Sequence, residues 1–389
     1  MPDSAEPVVT EARSATAVIV GGTDGLGRTL AIRYLRAGWR VIVLGRTDRR
    51  TMADAAASYV PVDLTDAASM HGIAPSLSAA GVDAIDVLIH CAGIGWVGDT
   101  ALQSAASIDA MVAVNIWTPV AITHQLLPLV ERVQGRIVLI GSIAAFVPAP
   151  HYAVYAASKM AIDGFVRSFA QEIGARVTVQ VIHPGAIGTA FHAKAGATSL
   201  DPARFPAPDV VADRVMRAMK RRRWRVFPDA LTAILAGVAG PAKGLIDAIV
   251  AWRTHSVSRN QVKPFNPDDV PVALVTGAGS GLGAALTVQL INAGYRVIGV
   301  DRLPLASMAA DRLARYEPLT ADLTDQDGIA LIAAQVGREA PLTLLVHCAG
   351  TSAVGPFASG ALAVMRPVLH TNLTGPMQLT ARLLRGGSA

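Results

Sequence analysis

A chain of 389 residues exceeds one compact domain of ordinary size, so two units that each bury a core are predicted. With 52% hydrophobic, 5% aromatic and 16% charged residues, the composition excludes a disordered or fibrous chain and suits buried parallel sheets covered by helices. A net charge of +5 over this length does not imply nucleic acid as a partner, and the two cysteines, Cys91 and Cys348, fit the cytoplasm rather than a disulfide scaffold.

Residues 1–13 carry proline and acidic residues without the basic-then-apolar order of a secretory signal. Residues 17–20, 40–44, 87–90, 136–140 and 177–182 are short apolar, β-branched runs and are predicted as strands. Longer helical patterns separate them, which implies right-handed βαβ units and a doubly wound parallel sheet, an α/β, Rossmann-like fold. Between the first strand and the first helix stand Gly21, Gly25 and Gly27. Glycine there permits a tight turn and lets backbone N–H groups and the helix N-terminus approach a pyrophosphate. By itself the block is weak, because glycine turns after strands also serve packing.

Two runs, 110–130 and 137–158, are long enough and sufficiently free of charge to span a bilayer. Asn115, Pro119, His124 and Pro128 interrupt the first, and Gly141, Ser142, Pro148 and Pro150 the second, so no transmembrane helix is expected. The basic run Lys220, Arg221, Arg222, Arg223 and Arg225 around Trp224 reads as a solvated helix end. Residues 226–252 hold Asp229, Gly237, Gly240, Pro241, Lys243 and Asp247 and form at most a surface-lying amphipathic hairpin, which leaves a peripheral membrane contact open.

The sequence repeats itself. AVIVGGTDGLG at 17–27 recurs as ALVTGAGSGLG at 273–283, AGWRVIVLGR at 37–46 as AGYRVIGVDR at 293–302, and PVDLTD at 61–66 as TADLTD at 320–325. HCAG at 90–93 returns at 347–350, and VNIWTP at 114–119 as TNLTGP at 371–376. Blocks in one order at nearly constant separation predict a tandem duplication: a complete unit over 1–262 and a truncated second unit over 263–389. The joint, residues 260–271, is rich in Pro, Asn and Asp, as a linker is.

The first unit resembles the short-chain dehydrogenase/reductase family over nearly its whole length. The resemblance rests on the glycine block with Asp24 and Leu26 inside it, Asp63 and Leu64, Ala92 and Gly93, Asn115, Ser142, Tyr155 and Lys159, and Pro184 and Gly185 with Thr189 beyond them. Val20 stands where the family has threonine, and His90 and Cys91 where it has an asparagine pair; these departures touch loop hydrogen bonds rather than catalysis. The resemblance implies an NAD(P)-dependent oxidoreductase that interconverts a carbonyl and a secondary alcohol, with Asn115, Ser142, Tyr155 and Lys159 as its catalytic set.

The residues support that chemistry on their own terms. Tyr155 and Lys159 are four apart and share one face of a helix. A free tyrosine titrates near about 10, and a neighbouring cation stabilises its phenolate, so Tyr155 is expected to exchange a proton with the substrate oxygen. Ser142, at a strand end, would hydrogen-bond the same oxygen. By resemblance, Asn115 helps to hold a water linking Lys159 to solvent.

After the second predicted strand come Gly45, Arg46 and Thr47, without a carboxylate to repel a 2′-phosphate and with an arginine to bind one, so NADP(H) is favoured. Asp24 counts against this, since many NADP-dependent relatives are basic there. Asp301 takes the corresponding place in the second unit and would select NAD(H), if that unit binds nucleotide at all; Asp63 and Asp322 would lie near an adenine. The second unit keeps Gly277, Gly281, Gly283, Asp322, Gly350 and Asn372 without equivalents of Ser142, Tyr155 and Lys159, and its partial sheet should leave a parallel edge exposed.

Trp96, His151, Tyr152, Phe191 and His192 are candidate pocket walls and suggest a small lipophilic carbonyl or alcohol substrate. His151 and His183 read as loop residues on the nicotinamide or substrate side, and no spacing supports a metal. A cytoplasmic homo-oligomer is expected. A competing reading is a nucleotide-sensing or scaffolding protein in which two dinucleotide folds regulate or assemble and turnover is incidental.

Overall fold

The computed structural model describes residues 13–46, 57–198, 200–239, 244, 270–303, 314–338 and 341–386. Residues 1–12, Thr47, nearly all of the expected hairpin beyond residue 239 and the joint at 260–269 lie outside the described residues.

The first unit is a sheet of seven strands: β1 (Thr16–Val20), β2 (Arg40–Gly45), β3 (Ser58–Pro61), β4 (Val87–His90), β5 (Arg136–Ile140), β6 (Thr178–Ile182) and β7 (Arg225–Val226). They run in the order β3-β2-β1-β4-β5-β6-β7, and every pairing is parallel. Helices cover both faces, which explains the uninterrupted apolar character of the central strands. Along β1, Val18 and Val20 face a core shared with Ile122, Leu126, Ile162 and Phe169. Ala17 and Ile19 face the opposite one with Leu30, Tyr34 and Val215, as the two-residue strand period requires. β3 and β7 escape the sequence pattern because one is a half-exposed edge strand ending in Pro61 and the other is two residues long beside a basic run.

The helices of this unit are α1 (Gly25–Arg36), α2 (Ala67–His71), α3 (Ile73–Ala79), α4 (Ala105–Val112), α5 (Thr118–Glu131), α6 (Ala153–Ile173), α7 (Phe191–Lys194), α8 (Pro208–Met219) and α9 (Ala230–Ala239). A π-helical turn, Ala113–Trp117, joins α4 to α5, so Ala105–Glu131 is one continuous helix of 27 residues rather than an interrupted run. Pro119 lies in the first turn of α5, where a missing N–H is tolerated. Among the described residues this is the one helix long and apolar enough to cross a membrane, and 67% of its apolar window is buried within the protein. Lys220, Arg221, Arg222 and Arg223 are exposed as expected, but Arg225 turns inward to Asp163.

A second, four-stranded parallel sheet comprises β8 (Val272–Thr276), β9 (Arg296–Asp301), β10 (Tyr316–Thr320) and β11 (Leu342–His347). Its order, β10-β9-β8-β11, matches β3-β2-β1-β4. Its helices are α10 (Gly281–Asn292), α11 (Gln326–Val336), α12 (Leu362–Leu369) and α13 (Gly375–Gly386), with a π turn, His370–Thr374, between the last two. Phe357 of this unit enters the core of the first, with ring centroids 4.7 Å from Phe169, 5.4 Å from Phe165 and 5.5 Å from His124. Gln378 donates to Asp109 Oδ1 at 2.6 Å, and Arg385 donates to the carbonyls of Ala101 and Gln103.

Candidate active site

The end of β1 turns sharply at Gly21, whose φ is +79°, and Gly21 N donates to the Leu44 carbonyl at 2.7 Å. A Cβ on Gly21 would stand 2.6 Å from the Ala92 backbone, and one on Gly27 would overlap the Gly21 carbonyl, so both positions require glycine. Asp24 caps α1 by accepting from Gly25 N at 2.7 Å. A hydrogen bond from Lys194, at 2.6 Å, holds its carboxyl below the ordinary range against the effect of burial. Thr189 lies against Gly25, so the segment from Pro184 and Gly185 through Thr189 to α7 covers the turn. Leu26 and Leu64 are buried beneath, and Arg46 is exposed at the end of β2. Asp63 accepts from the Thr65 N–H and hydroxyl at 2.9 and 2.7 Å, which lowers its pKa.

The second unit shows what Val20 replaces. Thr276 Oγ1 accepts from Ala349 N at 3.3 Å, whereas Ala92 N is left with the Val20 carbonyl at 2.9 Å. Otherwise the two turns agree: Gly277 has φ +70°, and a Cβ on Gly283 would overlap the Gly277 carbonyl. Asp301 Oδ2 accepts from Gly279 N at 2.8 Å. Asn372 brackets Thr351 with two bonds of 2.8 Å as Asn115 brackets Ile94 with two of 2.9 Å.

Four elements bring the expected catalytic residues of the first unit together. Ser142 follows β5 and caps the short turn Ile143–Ala145, accepting from Ala144 N at 3.2 Å. Tyr155 and Lys159 lie one turn apart on α6, 9% and 6% exposed, with the Lys159 ammonium 5.8 Å from the Tyr155 ring centroid. The π turn delivers Asn115, which also donates to Ser158 Oγ at 2.9 Å, while Ser158 donates to the Tyr155 carbonyl at 2.7 Å. Ser158 was not singled out in the sequence, although its place between the tyrosine and the lysine on a helix was a usable signal. Lys159 Nζ donates to the Ile140 carbonyl at 3.1 Å. It and Asn115 Oδ1 flank Gly93, at 3.4 and 3.5 Å from where a Cβ would stand.

Burial dominates the electrostatics. It pushes the Tyr155 hydroxyl up to about 12, and a hydrogen bond with Ser142 offsets this only in part. Burial also draws Lys159 down to about 8. The expected lowering of the tyrosine by its lysine is therefore not met by protein groups alone, because the low-dielectric setting penalises both charged forms.

Trp96, Tyr152 and Phe191 cluster around Tyr155, with the Tyr152 and Phe191 centroids at 6.1 and 5.4 Å, and Tyr152 Oη is 3.4 Å from His192 Nδ1. His151 does not join this cluster; it is exposed, with φ +69°. His183 corrects the sequence reading of an open loop residue: it is 0% exposed and pairs with Asp163 at 3.0 Å. Its burial follows from its place at the end of an interior strand.

The residues present fit a nicotinamide dinucleotide. The glycine turn and the first turn of α1 form an anion cradle that side chains would fill. Lys159 is a buried ammonium with one protein hydrogen-bond acceptor among the described residues, which leaves donors for a ribose hydroxyl.

Known proteins agree with this geometry. The family model described as short chain dehydrogenase matches residues 15–199 and again 271–386. Dehydrogenase/reductase SDR family member 7B of Xenopus tropicalis is 30% identical over 249 residues, covering 58% of this chain and 80% of the relative. A short-chain dehydrogenase from Streptomyces avermitilis superposes with a TM-score of 0.53 at 20% identity, over 64% of this chain and 100% of that one. One from Shigella flexneri 2a, complexed with NADP, gives 0.50 at 26% identity, over 55% and 95%. Fold and site define a Rossmann-like, dinucleotide-dependent class. The chain belongs to the short chain dehydrogenase family and is an NAD(P)-dependent oxidoreductase.

Proposed function

We propose that the first unit interconverts a small lipophilic carbonyl and its secondary alcohol, with NADP(H) preferred. The observation that carries the reading is the convergence of Ser142, at the end of β5, on Tyr155 and Lys159, which lie one turn apart on α6 and are 9% and 6% exposed. When bound, the nicotinamide gives or takes the hydride. Tyr155 donates its proton to the substrate oxygen in reduction and recovers it in oxidation, and Ser142 donates a hydrogen bond to that oxygen as charge develops. Lys159 holds the ribose and returns the proton through its ammonium, while Asn115 fixes the loop at Ile94 against α6. Trp96, Tyr152, Phe191 and His192 make the apolar wall against which the substrate rests.

Arg46, exposed at the end of β2, would pair with a 2′-phosphate. We read residues 1–262 and 263–389 as a duplication, the second unit taking NAD(H) through Asp301 or serving assembly, and the protein as a cytoplasmic homo-oligomer. The test is NADPH oxidation against a panel of aliphatic and aromatic ketones. Tyr155→Phe is expected to lower kcat by about 10²- to 10⁴-fold and to leave NADPH binding nearly unchanged. Full activity in that variant sinks the assignment, and absence of turnover in the unaltered protein with every carbonyl would favour the sensing reading.

A further inference from the structure

A largely buried set of polar contacts reaches the Ser142 peptide and takes no part in Tyr155's proton transfer. His183, just beyond β6, is 0% exposed, and Asp163, one turn after Lys159 on α6, is 3% exposed. His183 Nε2 lies 3.0 Å from Asp163 Oδ1; Arg225 Nε donates to the same oxygen at 2.7 Å, and its terminal nitrogen pairs with the other carboxylate oxygen. A carboxylate only accepts, so the proton of the His183–Asp163 contact sits on Nε2. Nδ1 faces the Ser142 peptide, 3.2 Å from its N–H and 3.1 Å from its carbonyl oxygen.

Packing enforces this arrangement. A Cβ on Gly141 would overlap the His183 ring, so the residue before Ser142 must be glycine for the imidazole to lie there. Phe146 and Phe227 close over the ring at centroid distances of 4.8 and 5.6 Å, and the Arg225 guanidinium lies over Phe146 at 5.0 Å and Trp224 at 4.4 Å. Burial opposes ionisation of Asp163, but the bonds and charges of His183 and Arg225 together outweigh it and hold the carboxyl below its ordinary range. Apolar side chains could fill the same volume without that desolvation cost, so the polar set calls for a reason beyond packing.

We propose that His183 and Asp163 are positioning residues, which orient the peptide of Ser142 and so hold its hydroxyl on the substrate oxygen. The proposal rests on the reading of Ser142 given above. Arg225 keeps Asp163 ionised and correctly turned. Since a displacement of the reacting groups by an ångström costs up to about a hundredfold, the expected effect falls on kcat and not on cofactor affinity.

The test is a double-mutant cycle, read with NADPH and whichever ketone of the panel the unaltered enzyme reduces fastest. His183→Leu should lower kcat about ten- to hundredfold with the NADPH dissociation constant unchanged, and should cause little further loss in a Ser142→Ala background. His183→Asn, whose amide can bond the Ser142 peptide by accepting from its N–H or donating to its carbonyl, should recover most of the loss. Equal losses in both backgrounds overturn the proposal, whereas an undiminished Ser142→Ala alone overturns the reading of Ser142 instead. Nitrogen-15 NMR of the unaltered enzyme supplies an answer independent of variant folding: His183 should carry a proton on Nε2, shared with Asp163, and a ring without a proton there refutes the arrangement.

Discussion

At the scale of single residues, the site combines groups whose charged forms the protein does not favour. Lys159 is the clearest case, since burial draws its pKa from 10.5 to about 8. Below about pH 8 both folded and unfolded chains carry the proton, and the folded one bears the cost of the buried ammonium. That cost is relieved as pH rises from about 8 to 10.5, where the folded state alone has released the proton, so the cofactor-free protein gains stability across this window. Lys159→Met should therefore raise the melting temperature of the cofactor-free protein at pH 7, abolish turnover, and lose its advantage towards pH 10.5; thermal melts across pH check this, and a Met variant less stable at pH 7 contradicts it. Arg46 allows a second check. Arg46→Ala should raise KM for NADPH and barely change that for NADH, and equal changes for both would show that the guanidinium does not read the 2′-phosphate.

At the scale of elements, the π turn in the middle of Ala105–Glu131 is what places Asn115 in the site. A π turn redirects side chains along a continuous helix, and such turns recur at functional positions. Asn115 is 1% exposed and satisfies both backbone groups of Ile94 and the Ser158 hydroxyl. Asn115→Ala should cost roughly 2 kcal/mol or more, because it leaves these buried groups without partners, and should lower kcat as the Gly93–Ile94 loop loosens beside Lys159. Urea unfolding and initial rates measure the two effects; a neutral variant in both would mean that the loop is held elsewhere. Sequence periodicity missed this turn for a physical reason: the run is apolar on nearly every face, so a rotation of about 100° per inserted residue leaves no visible break in it. It likewise read Asn115, Pro119 and Pro128 as interruptions, although Asn115 has internal partners and the helix continues through both prolines.

At the scale of the whole molecule, the second unit is not a passive appendage. Phe357, 8% exposed, belongs to the core of the first unit, where it meets Phe165 and Phe169, and its N–H donates to Glu172 at 2.6 Å. Ala381 packs on Ile108 and Met111, in the cluster that also contains Tyr155. Phe357→Ala should accordingly destabilise the first unit by about 3 kcal/mol, read from the unfolding of a site-specific probe near Tyr155. An unchanged midpoint for that probe would show that the units unfold independently. Two cavities between the units, of about 510 and 500 Å³, share Trp117, Thr324, Arg366 and His370 in their walls and include none of the proposed catalytic residues.

The apolar strands, the glycine turns, the matching order of motifs in the two units, and the spacing of Tyr155 and Lys159 were all legible in the sequence, because each is a local constraint: a strand buried on both faces must be apolar, and a turn with positive φ and a close backbone approach, as at Gly21, requires glycine. Edge strands were not legible, since β3 is short and half-exposed and β7 has only two residues, so no alternation survives in either. Contacts between distant segments were decided only in three dimensions. His183 is one residue of a loop motif until β6 buries it against Asp163, and Arg225 is one charge of a solvated run until that carboxylate turns it inward. Nor could the sequence give the balance of fields at Tyr155. Spacing places a cation beside the phenol, but the depth at which α6 is packed determines that desolvation raises Tyr155 and lowers Lys159 alike.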